Sequence, residues 1–333
     1  MRVLIIGGGR FLGRSFAEEA LAHGDDVVVF NRGRTSVDPP GVTAVRGDRG
    51  EPADVARLAA QGPWDAVIDT CASVPGVVGQ NARALASQAG AYLFVSSVSA
   101  FADWPARPLR DGMPLLEGAP DATEGDYGAL KAGAERAVRA ALPGRSLVLY
   151  PGLIIGPNEN RGRQTWWLSR LAQGGLVVAP GDPRRQIRLI DARDVASFGL
   201  HCLRAGDEGS YVVTSPPGHS SFGEWLDACA AETGAGAELV WAGDTVLQAA
   251  GVDEWTGLPL WSAAEGDARA VWDIDVSRAL AAGLVCRPVQ ETVRDTWRWL
   301  KDAPVPADAE GRINGHGLPP QQERQILRAL GRN

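Results

Sequence analysis

Along its first half the chain alternates short β-branched runs with stretches of helical period. The runs at 2–6, 26–30, 42–46, 66–69 and 91–96 predict strands, and a helix is expected from Phe11 onward. A further helical pattern covers 125–141 and leads into a sixth strand at 146–150. Strands separated by helices imply a parallel sheet covered on both faces, because parallel neighbours need crossover connections. The expected class is α/β, with a doubly wound parallel sheet.

Beyond Pro151 the spacing is less regular, Gly and Pro punctuate shorter elements, and nine of the eleven tryptophans follow Tyr150. Residues 1–150 are therefore read as a nucleotide-binding domain, with a returning piece at about 176–204. Residues 151–302 are read mainly as a smaller C-terminal α+β lobe for the substrate. The stretch 303–320 is rich in Pro, Gly and Asp and predicts a linker before a terminal helix, the two together making 303–333 a tail.

Length and composition set outer limits. At 333 residues, one large domain with a smaller companion is expected. Hydrophobic residues at 45% and charged residues at 22% match ordinary globular proteins. No run approaches the ~20 apolar residues that cross a bilayer, so no membrane association is expected. Cys71, Cys202, Cys229 and Cys286 are dispersed, form no CxxC pair and have no histidine at ligand spacing, which suits a reducing cytoplasm and no structural metal. A net charge of −7 without basic blocks argues against nucleic acid as partner and for a small molecule.

MRVLIIGGGRFLG reads as strand, glycine-rich turn and helix start, the context in which such a turn holds a dinucleotide pyrophosphate in a Rossmann-type sheet. Gly7 permits the tight turn, Gly13 allows close helix packing, and Gly9, Arg10, Phe11 and Leu12 complete the loop. After the second strand stands Asn31 rather than an acid that would grip a free ribose 2′-hydroxyl, followed by Arg32 and Arg34. With Arg10 opposite, these guanidinium groups suit a 2′-phosphate, so NADP(H) is favoured over NAD(H). Asp48 is a candidate acceptor for the adenine amino group, or a local turn cap.

In EGDYGALKAGAERAV, Tyr127 and Lys131 lie four apart on a predicted helix and so share a face. An ammonium beside a phenol favours the phenolate, which suits proton transfer near neutrality. Before them, YLFVSSVSA ends a strand in Ser96, Ser97 and Ser99, where ligands of open α/β sheets bind.

These motifs, together with PGLIIGP at 151–157 and IDARDVA at 190–196, resemble the extended short-chain dehydrogenase/reductase family, which includes NAD-dependent epimerases and dehydratases. The branch it most resembles is a group of actinobacterial reductases, through NRGRT, APGDP and DVSRALAAGLVCRP. The resemblance implies that Tyr127 is the acid/base, that Lys131 tunes it and holds the nicotinamide ribose, and that Ser97 orients the substrate oxygen. It implies that Pro151, Leu153 and Ile154 border the nicotinamide. Three positions depart from the family pattern: Arg10 replaces a middle glycine, Tyr150 an arginine, and Ile187 a phosphate-binding arginine, so a nucleotide-sugar substrate is disfavoured.

The expected reaction is NADPH-dependent reduction of a C=O or C=N in a small apolar or aromatic metabolite, plausible in secondary metabolism. Candidate substrate contacts are Ser99, Trp166, Trp167, Arg188 and Trp261, with Arg188 suited to a carboxylate. Trp166 and Trp167 are adjacent, so one of them is expected to be exposed or to line the cleft. The rival readings are a sugar-nucleotide epimerase or dehydratase, an RNA-binding relative without reductase activity, and an inactive cofactor-binding module. A homodimer is possible from the family pattern.

Overall fold

A computed structural model describes residues 1–34, 37–70 and 74–332. Seven parallel strands form its central sheet: β1 (Arg2–Ile6), β2 (Asp26–Asn31), β3 (Thr43–Arg46), β4 (Trp64–Asp69), β5 (Ala89–Val95), β6 (Ser146–Pro151) and β10 (Gly209–Val213). Their spatial order is β10-β6-β5-β4-β1-β2-β3. The chain winds outward from β1 to β3, returns to β4, and winds the other way. The topological switch therefore falls between β1 and β4, where such sheets bind ligands at their C-terminal edge.

Pleating explains why β1 is apolar from Val3 to Ile6. Val3 and Ile5 pack with Phe16 of α1 (Phe11–Ala22) and Val195 and Phe198 of α6 (Ala192–Ala205). Leu4 and Ile6 point to the other face, against Leu58 of α2 (Pro52–Ala59), Val78 of α3 (Pro75–Leu85) and Val138 of α4 (Tyr127–Ala141).

One boundary needs correction. The returning piece expected at 176–204 rejoins the central sheet only through α6. The strand inside it, β8 (Gly175–Pro180), instead pairs in parallel with β11 (Ala237–Ala242) in the second lobe. The strand that returns beside β6 is β10, which lies after residue 204. Sequence alone marks 176–180 as a strand but not its partner. Gly174 and Gly175, both with positive φ, turn it toward the lobe, where Val177 and Val178 are fully buried.

The lobe gathers β8, β11, α5 (Arg163–Leu171), α7 (Phe222–Thr233) and α10 (Val289–Asp302) around a separate apolar core. The tail crosses it without regular structure and ends in α11 (Pro320–Ala329). There the buried Glu323 accepts from Val178 N at 3.1 Å and pairs with Arg170 at 2.8 Å.

Candidate active site

At the C-terminal edge of β1 and β2 the structure opens a groove of about 530 Å³. Gly7, Gly9, Arg10, Phe11, Leu12, Gly13, Asn31, Arg32, Arg34 and Asp48 all line it, so the loop and the residues after β2 come together as the motif requires. The helix α1 begins without a side-chain cap and without an acid in its first turn, leaving its amides open to an anion. A Cβ at Gly13 would lie 2.8 Å from Thr70 Oγ1, so glycine is what lets the helix approach the sheet. Arg10 itself has φ −135° and ψ 144°, extended backbone open to any residue, so an arginine there causes no strain. The left-handed angles fall at Gly7 (φ 105°) and Phe11 (φ 38°) instead. These features fit a dinucleotide.

The groove also contains residues that sequence reasoning did not single out, including Arg49, Thr70, Asn160 and Arg161. Arg49 makes two 2.7 Å bonds to Asp69, which is wholly buried at the end of β4 and also accepts from the Tyr92 hydroxyl at 3.1 Å. No local pattern links residue 49 to residue 69. Asn31 has a structural task as well: its Oδ1 accepts from Gly33 N at 2.8 Å and from Arg46, shaping the turn that presents Arg32 and Arg34. Asp48 Oδ1 accepts from Gly50 N at 2.9 Å, a turn cap, and its carboxylate stands 3.7 Å from Arg32.

The Tyr127 and Lys131 pair sits beyond β5. Lys131 is buried and donates from Nζ to Val95 O at 2.9 Å, where β5 ends. The same Nζ lies 5.8 Å from the Tyr127 ring centroid and 5.4 Å from that of Phe94. Tyr127, in contrast, is 52% exposed. A buried cation thus stands beneath an accessible phenol.

Ser97 caps the short 3₁₀ turn at 98–100, its Oγ accepting from Ser99 N at 3.1 Å, which leaves its own proton for another acceptor. Gly128 brings α4 against this turn, since a Cβ there would lie 2.0 Å from Ser99 O. Pro151, Leu153 and Ile154 follow directly: Pro151 closes β6, and the other two lie in β7 (Leu153–Ile155), paired in parallel with β9 (Leu189–Asp191). These three do not line the cofactor groove.

The tryptophan expectations fail. Trp166, Trp167 and Trp261 are 3%, 0% and 2% exposed and belong to the lobe core, so none of them lines a cleft. Adjacent residues diverge in exposure on a helix with one solvated face, but α5 is enclosed on several sides. The Trp167 indole donates to Pro259 O at 2.9 Å, while Trp166 donates to Gly311 O of the tail at 3.2 Å. Trp261 donates to Asp244 Oδ1 at 2.9 Å. Arg188 does point inward, buried against a cavity beyond β10.

Comparison with known proteins bears on the family and the fold. A sequence profile described as the NAD dependent epimerase/dehydratase family matches residues 3–214. A 2'-dehydrokanamycin reductase from Streptomyces kanamyceticus is 30% identical over 221 residues, 64% of this chain and 60% of that protein; the match thus spans less than two thirds of the relative. Among solved structures, the Bordetella bronchiseptica enzyme WbmH in complex with NAD+ superposes with a TM-score of 0.68 at 19% identity, over 91% of this chain and 99% of that one. A UDP-N-acetylglucosamine 4-epimerase from Methanobrevibacter ruminantium gives 0.66 at 15% identity, over 90% and 98%. At such identities the structural likeness concerns the fold.

Proposed function

The chain belongs to the NAD dependent epimerase/dehydratase family, and from that premise we propose that it is an NADPH-dependent reductase acting on a C=O or C=N of a small metabolite in the cytoplasm, with Tyr127 as proton donor. The observation that carries this reading is the buried Lys131 ammonium, 5.8 Å from the ring of the exposed Tyr127. Its 30% identity to a named reductase supports net reduction as the outcome.

When bound, NADPH supplies the hydride that forms the new C–H bond. The uncapped amides of α1 hold the pyrophosphate, and Arg10, Arg32 and Arg34 take the 2′-phosphate. Neither Arg10 nor Arg34 has a carboxylate partner among the described residues, and Arg32 has an exposed, loose pair with Asp48 at 3.7 Å. All three are exposed at the groove and open to a ligand. As the carbonyl electron pair moves onto oxygen, that oxygen takes the Tyr127 hydroxyl proton and a hydrogen bond from Ser97. The Lys131 ammonium stabilises the phenolate left behind.

The test is to titrate the purified protein with NADPH and NADH, then screen carbonyl and imine compounds for cofactor oxidation. Tighter binding of NADPH and turnover that depends on Tyr127 are expected. A protein isolated with one non-exchanging NAD per chain, interconverting sugar isomers without net oxidation, would overturn the reading in favour of an epimerase.

A further inference from the structure

Past the C-terminal ends of β6 and β10 lies a second cavity, of about 310 Å³, lined by Arg185, Gln186, Arg188, Arg269, Trp272 and Asp273 among others. Arg188 immediately precedes β9 and is only 7% exposed. Thr214, which follows β10, donates from Oγ1 to Arg188 O at 2.8 Å and pins the backbone. The guanidinium donates from Nε to Trp272 O at 3.1 Å and from Nη1 to Ser215 O at 2.9 Å. Its Nη2 has no acceptor among the described residues, and the side chain faces the cavity.

Buried charges are normally paired. Here neither the buried Arg188 nor the half-buried Arg185 and the exposed Arg269 beside it has a carboxylate within salt-bridge distance among the described residues. Asp273, which lines the cavity and faces Arg188, is engaged at 2.8 Å by Arg110. Asp244 and Glu254 face Arg185 only from beyond contact, and Arg110 adds a further positive charge facing Arg188. Burial pulls the guanidinium pKa of both Arg185 and Arg188 down, and the distant acids do not reverse it. Three guanidinium groups around one cavity, none of them in an ion pair among the described residues, outnumber the single carboxylate of its wall, Asp273, and leave a preformed place for an anion.

The cavity's position says which molecule brings that anion. The dinucleotide groove covers β1 to β3, Tyr127 stands beyond β5, and this cavity lies further along the same edge, past β6 and β10. Its rim also reaches the segment between Ser99 and Tyr127, where Leu109 N donates to Asp273 O at 2.8 Å. We infer that the cavity is the recognition subsite for an oxyanion, a carboxylate or phosphate ester, carried by the substrate at the end remote from the reduced carbon. This deepens, and rests on, the reductase reading.

The test uses ligands sharing one ring. With the whole protein saturated with NADPH, so that the groove's own anion sites are filled, benzoate, phenyl phosphate and neutral benzamide are titrated calorimetrically at low ionic strength. At least one anion is expected to bind ten-fold or more tightly than benzamide, and the tighter of the two identifies the headgroup. Arg188→Gln is expected to weaken it at least ten-fold, and Arg188→Lys to restore part of the loss. Arg269→Gln, at the exposed rim, is expected to weaken it several-fold and keeps the test available if the buried variant does not fold. Equal affinity for the acid and the amide, no binding of either anion, or unchanged affinity in both Gln variants would overturn the inference. If NADPH itself does not bind, the reductase reading falls, while the same titration of the free protein, read through its dependence on Arg188, still decides the cavity.

Discussion

The Tyr150 hydroxyl donates a 2.6 Å hydrogen bond to Glu135 Oε2, tying the end of β6 to α4. Glu135 lies four residues beyond Lys131 and also accepts from Arg139 at 2.8 Å. One stripe of α4 therefore carries Tyr127, Lys131, Glu135 and Arg139 in succession, with Lys131 fastened to β5 and Glu135 to β6. Burial, reinforced by the Glu135 charge, pushes the Tyr150 phenol far above its ordinary pKa, so it remains a donor. Tyr150→Phe removes one of two partners of a buried carboxylate and is expected to cost about 1–3 kcal/mol. Urea unfolding measures the loss, and turnover is expected to fall while NADPH affinity holds.

Tyr127→Phe keeps the ring and removes the proton. Turnover is expected to drop by roughly 10²–10⁴ with little change in the NADPH dissociation constant. A variant retaining more than half of the wild-type kcat would exclude Tyr127 as proton donor.

Gly128→Ala sets two effects against each other. Helix propensity favours alanine by about 1 kcal/mol, but its Cβ would meet Ser99 O at 2.0 Å and Leu116 Cδ1 at 2.7 Å. Overpacking of this kind costs about 1–3 kcal/mol or more, so net destabilisation is expected. The folded fraction should also turn over more slowly, because α4 is displaced from the Ser97 turn. Thermal unfolding beside single-turnover kinetics separates the two effects.

Arg34→Ala tests the cofactor. Loss of a charged contact to the 2′-phosphate is worth about 1.5–3 kcal/mol, or roughly 10- to 150-fold in NADPH affinity. NADH affinity should be unchanged. Parallel titrations check this, and an equal loss for both cofactors would remove Arg34 from 2′-phosphate recognition.

His219 supplies a pH signature. Burial lowers its pKa, offset only in part by the Asp194 carboxylate. The folded protein thus resists protonation that the unfolded chain accepts near its ordinary value of about 6.5. Stability from this group is complete above that value and is lost as pH falls from it through the depressed folded pKa. Urea midpoints of wild type should decline more steeply below about pH 6.5 than those of His219→Gln.

Local chemistry determined much of this protein. The apolar runs specified the strands of a parallel sheet, the glycines of 7–13 specified a turn between strand and helix, and the spacing of Tyr127 and Lys131 specified a shared helix face. Each of these depends on residues within one helical turn or one strand, where backbone geometry alone decides which side chains can meet. Pairings between distant segments were decided only by the tertiary structure. The partner of β8, the burial of both Trp166 and Trp167 on an enclosed helix, the Arg49–Asp69 and Tyr150–Glu135 bonds, and the meeting of Arg185, Arg188 and Arg269 around one cavity all join residues with no shared periodicity. Such contacts arise when separate apolar faces bury one another, and no local pattern records which faces those will be.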